Sequence, residues 1–163
     1  MSIGLIIILI VAVGLVLGPI MMMRPSPAQK NRESMRLLAR GEGVHYSVRN
    51  LPRQADELEK PEPVAVYFLP PTDAAPPHNW MLLRTRYQHD IHLLGWWAWR
   101  DENRPVNAEE AVLIEHLANL PDSVKAVSAG TEGISVYWQE TGGEPALRQI
   151  LNLLKALQLA STR

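Results

Sequence analysis

Ser123-Val-Lys-Ala-Val-Ser-Ala-Gly-Thr-Glu-Gly-Ile-Ser-Val-Tyr-Trp-Gln139 is the stretch on which the fold reading rests. Its second half, from Ile134, alternates with period two, so Ile134, Val136 and Trp138 share one face of a strand. Thr131-Glu132-Gly133 turns the chain, and Ser123 to Ala129 reads as the strand before it. Downstream, Gly142-Gly143 ends the pair. Pro145 then opens an amphipathic helix with Leu147, Ile150, Leu151, Leu154 and Leu157 on its buried stripe. Upstream, Asn107 is the expected N-cap of another helix, with Glu110 completing a capping box. Ala111, Leu113, Ile114, Leu117, Ala118 and Leu120 follow helical spacing, and Pro121 ends the run. Trp80 to Tyr87 and Ile91 to Arg100 read as two strands joined by Gln88-His89-Asp90.

From Ile91 the order is strand, helix, strand, strand, helix. That is most of a ferredoxin-like split βαβ unit, short of its final strand. Trp80 to Tyr87 or Val64 to Leu69 can complete the sheet. The expected fold is therefore α+β, with the domain proper over 80–163. Residues 52–79 contain seven prolines and an acidic cluster. They read as a linker interrupted by Val64 to Leu69, which the flanking prolines assign to a sheet edge.

Ile3 to Met23 is an unbroken uncharged run. Twenty-one residues rise about 30 Å as a helix, the thickness of a bilayer's hydrocarbon core. The expectation is a single transmembrane anchor over 1–23. Gly14 and Gly18 within it form a Gly-x-x-x-Gly suited to helix pairing. Between Arg24 and Arg53 lie seven bases and two acids, Glu33 and Glu42. With 16 bases and 17 acids in the whole chain, 9 bases and 15 acids remain after Arg53. The basic flank predicts a cytoplasmic C-terminal body and an outward N-terminus.

Residues 24–51 read as a basic juxtamembrane helix and a short strand, Val44 to Val48. Ser26 is the expected N-cap, Gln29 closes its capping box and Gly41 is the stop. Met35, Leu38 and Ala39 form an apolar stripe. Arg24, Lys30, Arg32, Arg36 and Arg40 are the candidate contacts to lipid headgroups. The acidic body is repelled by nucleic acid, so no such partner is expected.

The chain has no cysteine, which removes disulfides, thiolate catalysis and Cys-based metal sites. His89-x-x-His92 is the nearest approach to a metal pattern. At a strand entry its two rings point apart, so no metal is expected. Gly41-Glu-Gly43 and Gly142-Gly143-Glu-Pro145 are not phosphate loops, and no Gly-x-Ser-x-Gly occurs. No cofactor and no catalytic residue is expected. Trp96, Trp97 and Trp99 are three indoles in four positions. They are either core on both faces of a strand or an aromatic patch that binds a partner protein.

Residues 15–48 resemble the YajC family, the accessory subunits of the bacterial preprotein translocase. The likeness rests on the apolar span ending in Arg24-Pro25, then Gln29-Lys30, a basic helix and Ala39-Arg40-Gly41-Glu42-Gly43-Val44. It implies a bacterial inner-membrane protein acting beside a larger complex, and no catalytic residues. The favoured expectation is a non-enzymatic accessory or tether protein whose α+β domain binds a partner. The alternative is a membrane-anchored enzyme or ligand sensor with a pocket between sheet and helix, lined by Arg84, Arg86, His89, His92 and Arg100.

Overall fold

The computed structural model describes residues 2–22, 26–52, 62–71, 79–86 and 93–162; in 19–22 only the backbone is described. The chain divides into two compact units, Met1–Glu33 and Ser34–Arg163.

The first unit contains helix α1 (Ile3–Met22) and the opening of α2 (Pro27–Gly41). Among the described residues, no helix is long and apolar enough to cross a membrane. The expected transmembrane anchor is corrected accordingly. The single-pass topology and the inner-membrane location fall with it. Gly14 and Gly18 have open space where a Cβ would stand. The start of α2 follows its sequence: the Ser26 amide donates to Gln29 Oε1 at 2.8 Å and the Gln29 amide to Ser26 Oγ at 3.2 Å, a reciprocal capping box.

The second unit is an α+β domain built on one antiparallel six-stranded sheet. Its strands are β1 (His45–Asn50), β2 (Pro63–Leu69), β3 (Trp80–Arg84), β4 (Trp97–Trp99), β5 (Val124–Gly130) and β6 (Gly133–Trp138), in the spatial order β1-β2-β6-β5-β3-β4. Helices α3 (Asn107–Leu117) and α4 (Gly143–Ser161) complete it. The β5–β6 hairpin falls where its alternation and turn place it. Gly133 takes a φ of +100°, and a Cβ there would stand 1.9 Å from the Leu69 carbonyl oxygen.

The ferredoxin-like strand order is not observed. In that fold the second hairpin strand would separate β4 from β5. Here β3 does so, pairing antiparallel with both, while β6 turns outward to β2. Val64 to Leu69 is not an edge strand: β2 lies between β1 and β6. The prolines do not prevent this, because Pro63 is the first residue of the strand and Pro70 follows its last. A missing N–H at a ladder's end costs no interior bond.

Register gives the sheet two distinct faces. Ala65, Tyr67, Leu69, Trp80, Leu82, Trp97, Val124, Val127, Ile134, Val136 and Trp138 belong to the main core together with α2, α3 and α4. Val64, Val66, Met81, Leu83, Ala126 and Tyr137 form a second buried cluster from the opposite strand positions. The alternation of β6 therefore does not mean one wet face: all six of its residues are buried. The five apolar positions expected on α4 are all buried.

Two helix ends differ from expectation. Asn107 is the first residue of α3 rather than its cap; Val106 holds the cap position with no side-chain bond. The stop of α2 is a Schellman motif centred on Gly43 at φ +81°, not Gly41. The Val44 amide donates to Ala39 O at 2.9 Å and the Gly43 amide to Arg40 O at 3.1 Å. Buried Ala39 and Val44 supply the accompanying apolar contact.

Candidate functional site

The tryptophan segment separates into three environments. Leu94 to Trp97 is a tight turn closed by the Trp97 amide on Leu94 O at 2.9 Å, and the Leu93 amide donates to Trp97 O at 2.9 Å. Gly95 supplies a φ of +53° at the corner. Trp97 then enters β4 and is 3% exposed, with the Arg84 guanidinium 5.4 Å from its ring centroid. Trp99 follows on the same sheet face, half-buried, edge-on to Trp80 at 5.9 Å and with Arg104 stacked at 5.1 Å. Trp97 and Trp99 are two residues apart and pair with Arg84 and Leu82, so period two puts both towards the helices. Trp96 precedes the strand and is 42% exposed. Its carbonyl accepts from both the Thr85 amide, at 2.7 Å, and Thr85 Oγ1, at 2.9 Å. The backbone under the exposed indole is thus pinned from the neighbouring strand end.

Two of the polar side chains proposed for a pocket, Arg84 and Arg100, do not converge. Arg84 reaches Pro121 O at 3.3 Å and the Asp122 carboxylate, on the helix-bearing side of the sheet. Arg100 approaches Met81 Sδ at 4.0 Å, and Met81 belongs to the opposite cluster. A sheet therefore separates the two guanidinium groups. Arg86 is exposed, and His89 and His92 lie outside the described residues. Among the described residues no three His, Asp or Glu side chains gather as a metal site.

Buried acids are committed to structure. Glu109, 1% exposed on the first turn of α3, accepts from Trp80 Nε1 at 3.1 Å and from Ser161 Oγ. It joins β3, α3 and the end of α4. The sequence carried a signal for this burial: Glu109 stands one turn before Leu113 and two before Leu117, on the stripe that is buried.

Glu140, at a φ of +56°, accepts from Arg36 Nε at 2.8 Å, Arg36 Nη2 at 2.7 Å and Tyr67 Oη at 2.9 Å. Arg36 also stacks 4.1 Å from the centroid of Tyr46. The hydrogen bonds to Glu140 drive the Arg36 pKa higher still. Burial first, then its bond to Glu140, pushes the Tyr67 hydroxyl well above the ordinary tyrosine range. Arg36 was a candidate headgroup contact; it instead binds the body of the domain. Lys30, Arg32 and Arg40 are exposed, and Arg24 lies outside the described residues. No local signal links Arg36 with Glu140, which lie 104 positions apart.

No protein-family model matches the chain, and no curated protein or solved structure is significantly similar to it.

Proposed function

We propose that the α+β domain is a non-catalytic accessory module that binds a partner protein through Trp96. The observation that carries this is the pinned, solvent-facing indole on the Leu94–Trp97 turn. A rigid aromatic loses little entropy on docking, and tryptophan is prominent among the residues that dominate interface energies. The surrounding polar groups support binding over chemistry. Arg84, Glu109 and Glu140 each hold fold-forming partners.

Photocrosslinking from position 96 of the full chain in its native host tests the proposal. The expected result is a discrete adduct that excess wild-type chain competes away. Trp96→Ala should compete at least 30-fold less well, the equivalent of about 2 kcal/mol for a central interface residue. Its urea midpoint should stay at the wild-type value. An adduct that Trp96→Ala competes as well as wild type would remove Trp96 from the interface. No adduct at all would remove the proposal.

A further inference from the structure

The two ends of the sheet are unequal. β4 is an edge of three residues, closed by the Leu94–Trp97 bridge. β1 is an edge of six, all in register with β2 and without a bulge. Among the described residues no strand pairs with its outer side. Natural edges are blunted by proline, charged side chains, bulges or short length. His45-Tyr46-Ser47-Val48-Arg49-Asn50 has no proline, lysine or bulge, and its one charged residue, Arg49, is paired with Glu132.

We propose that β1 pairs with β1 of a second copy, joining two sheets antiparallel across a two-fold axis. Reversing one strand about an axis perpendicular to the sheet keeps every side chain on its own face. Only registers that oppose residues of like parity are then allowed. Tyr46 and Val48 share the face that carries Tyr67, since Tyr46 pairs with Tyr67. They are 37% and 55% exposed. A pairing centred on Ser47 sets Tyr46 against Val48 of the second copy, twice, an aromatic–β-branched combination that sheets favour. On the other face it sets His45 against Arg49. A pairing centred on Val48 sets Val48 against Val48. Neither brings Arg49 against Arg49.

Charge also suits a second copy. Three formal charges near β1 are paired within each protomer: Arg36 with Glu140 at 2.7 Å, Arg49 with Glu132 at 2.6 Å, and Glu42 with Lys155. With Arg49 held by Glu132, and with neither register opposing it to its own copy, a second β1 meets no like-charge contact across the ladder. This contact is at the opposite end of the sheet from Trp96 and does not depend on the role proposed for that residue.

The absence of cysteine gives a clean test on the full chain. Directly opposite residues of antiparallel strands have Cα atoms about 4.5–5.5 Å apart, within disulfide range. Ser47→Cys, or Val48→Cys in the alternative register, should form an intermolecular disulfide under mild oxidation. A cysteine at exposed Glu115 on α3 is the control. Without oxidant, sedimentation should show a dimer. Val48→Lys should weaken it roughly two- to thirtyfold, the loss of two cross-strand pairs. A chain that stays monomeric, with Ser47→Cys and Val48→Cys crosslinking no faster than Glu115→Cys, overturns the proposal. So does a dimer that Val48→Lys leaves unchanged, which would place the contact elsewhere.

Discussion

Replacing Arg36 by methionine removes one half of a pair whose other half is buried. Glu140 keeps 6% of its side chain exposed and Arg36 33%. Once Arg36 is gone, the carboxylate retains a single neutral donor, Tyr67 Oη. Breaking a buried pair from one side costs about 3–5 kcal/mol. The partial exposure of Arg36 brings the expectation down to about 2–3 kcal/mol. For a domain of this size that lowers Tm by roughly 10 °C and moves the urea midpoint by about 1–2 M with m unchanged. Replacing both groups, Arg36→Met with Glu140→Leu, should be milder than Arg36→Met alone. The buried charge is then absent, and what remains is a Tyr67 hydroxyl without its acceptor, about 1 kcal/mol. Urea titrations followed by tryptophan fluorescence complete the double-mutant cycle, with an expected coupling of about 2 kcal/mol. Additive single effects, or an Arg36→Met that unfolds at the wild-type midpoint, would refute the view that α2 is held by a buried charge pair.

Gly133→Ala should prevent folding or cost more than about 4 kcal/mol, because a Cβ would stand 1.9 Å from Leu69 O at a φ of +100°; soluble yield and thermal melts report it. Glu109→Ala should cost about 1–3 kcal/mol by leaving Trp80 Nε1 without an acceptor, while Glu109→Gln should recover much of it, both read from the urea midpoint. Tyr67 is held protonated above the ordinary tyrosine value. Its raised folded pKa makes a contribution fully present below about pH 10 and lost as pH rises through the folded value. Stability measured from pH 9 upwards should therefore fall more steeply in wild type than in Tyr67→Phe.

Local patterns were legible where one element decides its own form. The α2 capping box, the β5–β6 hairpin and the buried stripe of α4 follow from spacing and turn residues alone. Strand partnership did not, because it is decided by residues far apart in sequence. β2 looked like an edge strand from its prolines, yet Pro63 sits at the ladder's end and leaves the interior bonds intact. β4 looked ten residues long, whereas the described strand is three: Gly95 turns the chain just before it. That turn is also why the three tryptophans part company, one outside and two towards the helices. The Glu140 site was illegible, since its partners come from α2 and β2 and its backbone is in a region that marks no particular sequence.

The Arg36–Glu140 pair and the two proposed surfaces should separate in experiment. Arg36 stacks on Tyr46, so the ion pair that fixes α2 also fixes the inner end of β1. Trp96 leads into β4, with β2, β6, β5 and β3 between that strand and β1. Five inter-strand steps of about 4.8 Å put the two edges roughly 24 Å apart. Perturbations that distant add without coupling. Arg36→Met should therefore weaken pairing of β1 beyond its effect on global stability, and leave competition at Trp96 at the wild-type level under conditions where the domain is folded. Trp96→Ala should leave the sedimentation of the full chain unaltered. If Arg36→Met abolished partner competition while the domain remained folded, the binding surface would have to extend to α2 and β1, and Trp96 would be only one margin of it.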